Sequence, residues 1–429
     1  VSKQPNIEIT DEYARVEELL DAGESLVFVT GKAGTGKSTL IQYLRENTDG
    51  NCVVLAPTGV AAMNVRGATI HSFFRFPPRV LTEEDARPVR FKKPFKKLDL
   101  LIVDEVSMVR ADVLDAMDRF LRVNGAKRRL PFGGVQLLLV GDLHQLPPVV
   151  SRGEERFQSE YESPFFFSSR AFAGAAPAGV ELQRIFRQRD DSFIRVLNDI
   201  RDGHPSDETL SRLNERVTRE VDPDRETVLT TTNLIADRIN KSRLAALPGD
   251  RKTYTGEASG DFQPDRLPSP IELHLKRHAR VMFTKNDSAG RWVNGSLGVV
   301  EELGDRFVRV VLDADGDAVD VDRTTWETYR YEFDQDEEVH VPIVSGAYEQ
   351  LPLTPAWAIT IHKSQGKTLS RVRIDLGRSA FAPGQVYVAL SRCRRLGDLT
   401  LSRPVNARDV FCDPRVTAFY HSMFDGARG

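Results

Sequence analysis

Cysteine is scarce in this chain: Cys52, Cys393 and Cys412 are the only three in 429 residues, and they lie far apart with no C-x-x-C spacing. That excludes a disulfide framework and gives no zinc-ligand pattern. No apolar run approaches the roughly 18 residues of a membrane span, and there is no signal-peptide pattern. A soluble protein of a reducing cytoplasm, with no membrane partner, is the expectation. Strong net charge is also lacking, at −3 overall. The 40% apolar and 28% charged content is that of a globular protein, and the length suits two to four domains.

The near-neutral sum hides a segregation of charge. Residues 297–340 hold 14 Asp or Glu against 4 Arg, which leaves the remainder with 55 basic and 48 acidic side chains, a balance of +7. Basic clusters occur at Arg87, Arg90, Lys92, Lys93, Lys96 and Lys97, interleaved with Phe91 and Phe95, and at Lys127 to Arg129. Alone they are weak evidence for a nucleic-acid partner. The acidic segment reads as solvated surface, with a partner site or a repulsive gate as alternatives.

Residues 31–38 read Gly-Lys-Ala-Gly-Thr-Gly-Lys-Ser, directly after the apolar run Leu26 to Val29. A strand, a glycine-rich loop and a helix start in that order cradle a nucleoside triphosphate. The glycines let backbone N–H groups turn toward the phosphates, and the helix N-terminus adds partial positive charge. Gly34, Thr35, Gly36, Lys37, Ser38 and Thr39 are the nucleotide-binding candidates. Lys37 is expected on the β- and γ-phosphates and Ser38 on a magnesium ion.

Short apolar runs at Leu26 to Val29, Val53 to Leu55, Leu100 to Val103 and Leu137 to Val140 read as buried parallel strands with chemistry at their carboxyl ends. Between the last two, Val109, Val113, Met117, Phe120 and Leu121 have helical spacing, with Asp112, Asp115, Asp118 and Arg119 on the other face. Residues 77–97 break the alternation as a surface insertion. A linker at 173–179 leads to a second α/β pattern from about Glu181, with strands at Thr227 to Thr230 and Val372 to Leu376. Inside it, residues 285–347 carry β-rich runs, Phe307 to Leu312 and Ala318 to Val321, joined by Asp315-Gly316-Asp317. The expected fold is α/β with a small β-barrel inserted in the second half.

Asp104 and Glu105 end the third apolar run, where an acidic pair faces the phosphate loop. Asp104 suits magnesium and Glu105 suits a general base for the attacking water. Gln145, after Gly141-Asp142, can sense the γ-phosphate. Arg187 and Arg392 are the candidate arginines that stabilise the transferring phosphoryl group.

Further strings carry a resemblance. Ala56-Pro57-Thr58-Gly59-Val60-Ala61-Ala62, Gly67-Ala68-Thr69-Ile70-His71-Ser72-Phe73-Phe74, Val103 to Met108, Pro131 to Gln136, Gln145 to Pro148, Phe186-Arg187-Gln188, Ile361-His362-Lys363-Ser364-Gln365-Gly366 and Tyr387 to Arg392 together resemble the Pif-one family of superfamily 1B DNA helicases. The resemblance runs from the phosphate loop to about Arg403. It implies two RecA-like domains, residues 1–180 and 181–429, with a pin insertion at about 75–97 and an SH3-like insertion at about 285–347. It implies magnesium-ATP-driven 5′-to-3′ translocation on single-stranded DNA, with unwinding of tailed duplexes, G-quadruplexes or RNA–DNA hybrids, by a monomer or weak dimer. By the same resemblance Thr58, Thr69, His71, Thr231, Asn233, His362 and Ser364 line the DNA path, and Gln145, Arg187, Gln365 and Arg392 face the nucleotide. Phe73 or Trp292 are candidate stacking platforms for bases, and the run around Lys92 and Lys93 is expected to meet duplex or displaced strand.

Two departures stand out. Family members usually carry an adenine-reading glutamine shortly before the phosphate loop, and Thr10 to Glu24 has none; Leu143-His144 stands where aromatics are common. An ATP-driven single-strand clamp without processive unwinding shares the same motifs. A small-molecule P-loop kinase would need neither His71, nor His362 to Gly366, nor a second α/β half.

Overall fold

The computed structural model describes residues 9–425 apart from 49, 150–154, 189, 221, 223–225 and 263–266; the expected domain ends at 1 and 429 lie outside them. In the first half, strands β1 (Leu26–Gly31), β2 (Cys52–Ala56), β3 (Ala68–Thr69), β4 (Leu100–Val103), β5 (Gln136–Val140) and β6 (Ala178–Leu182) form one sheet, ordered β3-β2-β4-β5-β1-β6. Every pairing in it is parallel. Helices α1 (Asp11–Asp21), α2 (Lys37–Asn47), α3 (Gly59–Asn64), α4 (Ile70–Phe74), α5 (Lys93–Lys96), α6 (Ala111–Asn124), α7 (Glu155–Glu160) and α8 (Arg170–Gly174) accompany it. Both faces are covered, by α1 and α2 on one side and chiefly by α4, α6 and α8 on the other, which is why its strands read as continuous apolar runs.

The second half begins with α9 (Asp191–Arg201) and α10 (Asp207–Asn214), then β7 (Thr227–Thr230) and α11 (Asn233–Ala246). The chain next runs through antiparallel strands: β8 (Lys252–Thr255), β9 (Glu257–Gly260), β10 (Glu272–Leu275), β11 (Arg280–Phe283), β12 (Leu297–Leu303), β13 (Phe307–Leu312), β14 (Ala318–Asp322), β15 (Thr324–Phe333), β16 (His340–Gln350) and β17 (Leu353–Pro355). It returns through β18 (Ala358–Thr360), α12 (Ile361–Ser364), β19 (Val372–Asp375), α13 (Gln385–Leu390), β20 (Leu399–Leu401) and α14 (Pro414–Tyr420). The second parallel sheet is β18-β7-β19-β20, and a separate apolar core fills the antiparallel region.

Several expectations change. The segment 173–179 is not a linker: it ends α8 and opens β6, which pairs with β1 through Leu182, beyond residue 180. The antiparallel strands start at Lys252 rather than 285, because β8 and β10 pair and β9 joins β16. Val416 and Phe419 of α14 return to the first core, so α14 belongs with the first sheet.

Asp112, Asp115 and Asp118, on the face opposite the apolar stripe of α6, are buried. Asp112 accepts from the Leu81 amide at 2.7 Å, Asp115 from the Ala171 amide at 2.8 Å and Tyr161 Oη at 2.9 Å, and Asp118 from the Phe132 amide at 2.6 Å. An alternation of apolar and acidic residues looks amphipathic when loops cover both faces and the loops need acceptors.

The acidic hairpin tip is not free surface either. Glu338 pairs with Lys93 at 2.8 Å and with Lys97, and Lys93 lies 5.8 Å from the Phe333 ring centroid. Tyr331 Oη accepts from the Val54 amide at 3.1 Å. The β15–β16 hairpin is therefore docked across β2 and the 77–97 insertion, and two of the lysines expected to meet DNA are engaged within the protein. Phe73 packs against Phe74, Phe95, Tyr331 and His340, and Trp292 is buried against Phe283 at 4.6 Å, so neither ring is an open stacking platform.

Candidate nucleotide cleft and nucleic-acid face

A cleft of about 1120 Å³ opens between the two parallel sheets. Gly34, Thr35, Gly36, Lys37, Ser38 and Thr39 line it from the first half, with Glu105 and Gln145; Arg187, Arg392, Arg394 and Arg395 line it from the second. The loop turns because Gly34 and Gly36 hold φ of 88° and 87°, and a Cβ on Gly34 would sit 2.5 Å from Arg187 Cβ. The Phe186 amide donates to Gly34 O at 2.8 Å, so the Phe186-Arg187 segment is laid against the phosphate loop.

Lys37 Nζ donates to the carbonyls of Gly31 at 2.7 Å and Lys32 at 3.0 Å. Burial lowers the pKa of Lys37 against the pull of Asp142 and Glu105. Burial, then Arg187 nearby, brings Arg392 down to about 9. Lys37, Arg187, Arg392, Arg394 and Arg395 line the cleft against the carboxylates of Glu105 and Asp190, so an anionic polyphosphate is the guest this charge set fits. Burial raises the Glu105 carboxyl, and burial followed by Glu105 brings Asp104 up to about 7.

Glu105 has φ of 50°, a left-handed backbone costing roughly 1–2 kcal/mol in a non-glycine residue. Its Oε2 accepts from Gln365 Nε2 at 3.2 Å, and the same nitrogen donates to Gln145 Oε1 at 3.2 Å. Asp104 Oδ1 accepts the Glu105 amide at 2.8 Å. Among the described residues no cluster of three or more His, Cys, Asp or Glu could hold a metal alone. An oxygen pair such as Ser38 and Asp104 fits magnesium that keeps waters and phosphate oxygens as its other ligands.

A second set of residues lies at neighbouring strand ends. Thr58 caps α3 after β2, accepting from the Ala61 amide at 3.2 Å, and Thr69 caps α4 after β3, accepting from Ser72 at 3.1 Å. The second sheet repeats the device: Thr232 caps α11 after β7 and Thr360 caps α12 after β18, accepting from Ile235 at 3.4 Å and Lys363 at 3.2 Å. Each capping hydroxyl uses a lone pair and keeps a proton to donate. His71 is half-buried on α4, while Asn233 and His362 are exposed on α11 and α12. Thr231 is buried, and Ser364 is fully buried with its hydroxyl donating to Ile361 O at 2.7 Å. Thr232 and Thr360 were not foreseen; a threonine directly after a short apolar run and before a helix was the available signal. Exposed Val60 and Leu234 follow the caps of α3 and α11 by two residues each.

Comparison with known proteins decides the family. The model of the PIF1-like helicase family matches residues 8–211. The chain is 34% identical over 431 residues to the ATP-dependent DNA helicase Pif1 of Bdellovibrio bacteriovorus, covering 98% of this chain and 93% of that one. This chain belongs to the Pif1-like DNA helicases. It is an ATP-hydrolysing DNA helicase, built on two RecA-like parallel sheets. Human ATP-dependent DNA helicase PIF1 is 35% identical over 98% of this chain, which spans 64% of that protein's length. Bacteroides Pif1 in complex with ADP-AlF4 superposes with a TM-score of 0.91 at 36% identity, covering 98% of both chains. The same Pif1 bound to single-stranded DNA, at equal identity and coverage, gives 0.70. With identity and coverage unchanged, the drop reports a difference in conformation between that DNA-bound structure and this one.

Proposed function

We propose that this helicase moves 5′-to-3′ along single-stranded DNA with magnesium-ATP and opens tailed duplexes, with G-quadruplexes and RNA–DNA hybrids as further substrates. The observation that carries the reading is the cleft: a phosphate loop on one sheet faces arginines supplied by the other half. Nucleotide held there pulls the halves together, and its loss lets them part, which is the stroke a translocating motor needs. Domain bounds for this reading are 9–182 plus α14 for the first RecA-like domain and about 183–413 for the second, with an SH3-like insertion over 252–355.

Lys37 grips the β- and γ-phosphates, Arg187 and Arg392 stabilise charge on the transferring group, and Glu105 takes the proton of a water oriented by Gln145. Ser38 and Asp104 hold magnesium, which shields phosphate charge when bound. The four threonine-capped helix starts, with His71, Asn233 and His362, contact phosphate and sugar without reading bases, as a motor indifferent to sequence requires. Val60 and Leu234 add apolar contact to sugars. Three unpaired cysteines suit a reducing cytoplasm. A monomer or weak dimer acts on the DNA.

Strand separation on one duplex with a 5′ tail, a 3′ tail or no tail tests the reading. Opening confined to the 5′ tail, lost in Lys37→Ala, supports it. Preference for the 3′ tail overturns the polarity, and ATP hydrolysis on single strands without strand separation favours the clamp.

A further inference from the structure

Asp142 follows β5, is 1% exposed, and joins both halves of the molecule. Its Oδ2 accepts from Gln145 Nε2 and from Tyr387 Oη, each at 3.2 Å. Tyr387, on α13, accepts in turn from the Ala33 amide of the phosphate loop at 2.9 Å. On the other side, Asp142 Oδ1 accepts from the His144 amide at 3.2 Å and lies 3.6 Å from Arg201 Nη2. Arg201 ends α9, is 7% exposed, and lies 5.4 Å from the ring centroid of Tyr420, whose hydroxyl is 2.5 Å from Thr30 Oγ1 on β1.

A buried carboxylate costs several kcal/mol unless paired. Burial pushes the Asp142 carboxyl up, but Arg201, the His144 hydrogen bond and Lys37 override it and hold the group well below the usual carboxylate range. An ionised carboxylate only accepts hydrogen bonds. Gln145 must therefore turn its NH2 toward Asp142, which leaves its Oε1 to face Gln365 Nε2 and the nucleotide side. Gln365 then donates to both Gln145 and Glu105. One charge sets the polarity of the whole chain, and the cation that pairs with it at 3.6 Å, Arg201, comes from the other half of the protein and adds to the pull of Lys37.

We propose that Arg201 is a positioning residue for ATP hydrolysis: by supplying the counter-charge to Asp142 across the domain interface, it fixes the Gln145 amide with its oxygen toward the attacking water. The proposal rests on the cleft being the hydrolysis site. It makes the alignment of that water depend on contact between the halves, so an open molecule turns over slowly even with nucleotide bound.

The test is steady-state ATPase of the full chain on saturating single-stranded DNA, with thermal unfolding as the check on folding. Arg201→Gln is expected to lower kcat about tenfold or more while KM stays within about threefold, because a transition-state alignment is lost rather than ground-state binding. Arg201→Lys keeps the cation and falls between the two. In a Gln145→Ala background, Arg201→Gln adds less than about twofold, since the group it acts through is gone. An Arg201→Gln kcat within about twofold of wild type, a Lys variant no better than Gln, or full additivity with Gln145→Ala overturns the proposal. Should Arg201→Gln fail to fold, the Lys variant alone and in the Gln145→Ala background carries the same comparison. A wild-type protein that hydrolyses no ATP on DNA, or a Glu105→Gln variant with normal turnover, would instead strike the cleft reading itself.

Discussion

Lys93 Nζ stands 2.8 Å from Glu338 Oε1, and this contact ties the first sheet's insertion to the tip of the β15–β16 hairpin. Lys97 binds the other carboxylate oxygen, and Phe91 meets Phe333 at 6.4 Å beside them. These are half-exposed ion pairs, so their attraction is modest and screened by salt. If DNA binds the arrangement in which the hairpin is undocked, weakening the dock raises DNA affinity by mass action. Glu338→Lys is expected to tighten single-stranded DNA binding on the order of two- to fivefold at low salt, with the gain fading as salt rises. Fluorescence anisotropy across a salt series reads this directly; weaker binding at every salt concentration would show that the contact supports the DNA-competent form.

The same dock carries a pH dependence. His340 donates its amide to Asn51 Oδ1 at 2.8 Å, and its Nδ1 lies 2.9 Å from that oxygen. Phe73, Tyr331 and Phe333 surround the ring. Burial pushes its pKa from 6.5 down to about 4. A base whose pKa is depressed in the docked state contributes stability that is complete above the undocked pKa and is lost as pH falls toward the docked one. Between pH 7 and 5 the dock should weaken by about 2 kcal/mol. Hydrogen exchange at the His340 and Val54 amides, corrected for intrinsic rate, should accelerate roughly thirtyfold over that range, and His340→Phe should abolish the dependence. Exchange that follows the intrinsic rate in the wild type would contradict it.

The expected parallel strands were legible because their burial on both faces leaves unbroken apolar runs, and the phosphate loop because its glycines answer to backbone geometry alone. β3 was missed: at Ala68 and Thr69 it is too short to show a period. The burial of the α6 aspartates was not legible, because a helix covered by loops on its polar face has the same pattern as one facing water. The docking of Glu338 and the pairing of Arg201 with Asp142 join residues far apart in the chain, and each side chain alone has the composition of ordinary surface. Thr232 and Thr360 were within reach of the sequence, since each is a capping residue at a strand end.

Tyr13 also comes from a segment in which the sequence offered no nucleotide reader. It is 2% exposed at the cleft wall and donates to Gly36 O at 2.8 Å, bracing the loop at a glycine in the left-handed region. Tyr13→Phe keeps the ring and removes that one bond, leaving the Gly36 carbonyl with the Leu40 amide, at 2.9 Å, as its remaining donor. A loss of about 0.5–1.5 kcal/mol in nucleotide binding follows, or several-fold in ADP affinity by titration calorimetry. Because the phenol is committed to Gly36, discrimination between ATP and GTP should be the same in the Tyr13→Phe variant as in the wild type. A change in that ratio would assign the hydroxyl to base recognition instead.

Asp115 separates a stabilising role from a catalytic one. Its two oxygens serve the Ala171 amide and Tyr161 Oη, and with neither group able to reach water, removing the carboxylate leaves two donors unsatisfied. At roughly 1–3 kcal/mol per buried orphan, Asp115→Ala should cost about 2–5 kcal/mol by urea unfolding. Asp191→Ala, on an exposed first helical turn, is expected to cost under about 1 kcal/mol. Asp115 touches no cleft residue, so below the unfolding transition the Asp115→Ala variant should hydrolyse ATP with wild-type KM. A large rise in KM with intact stability would mean that α6 transmits strain to the phosphate loop through β4 and β5, between which it runs in the chain.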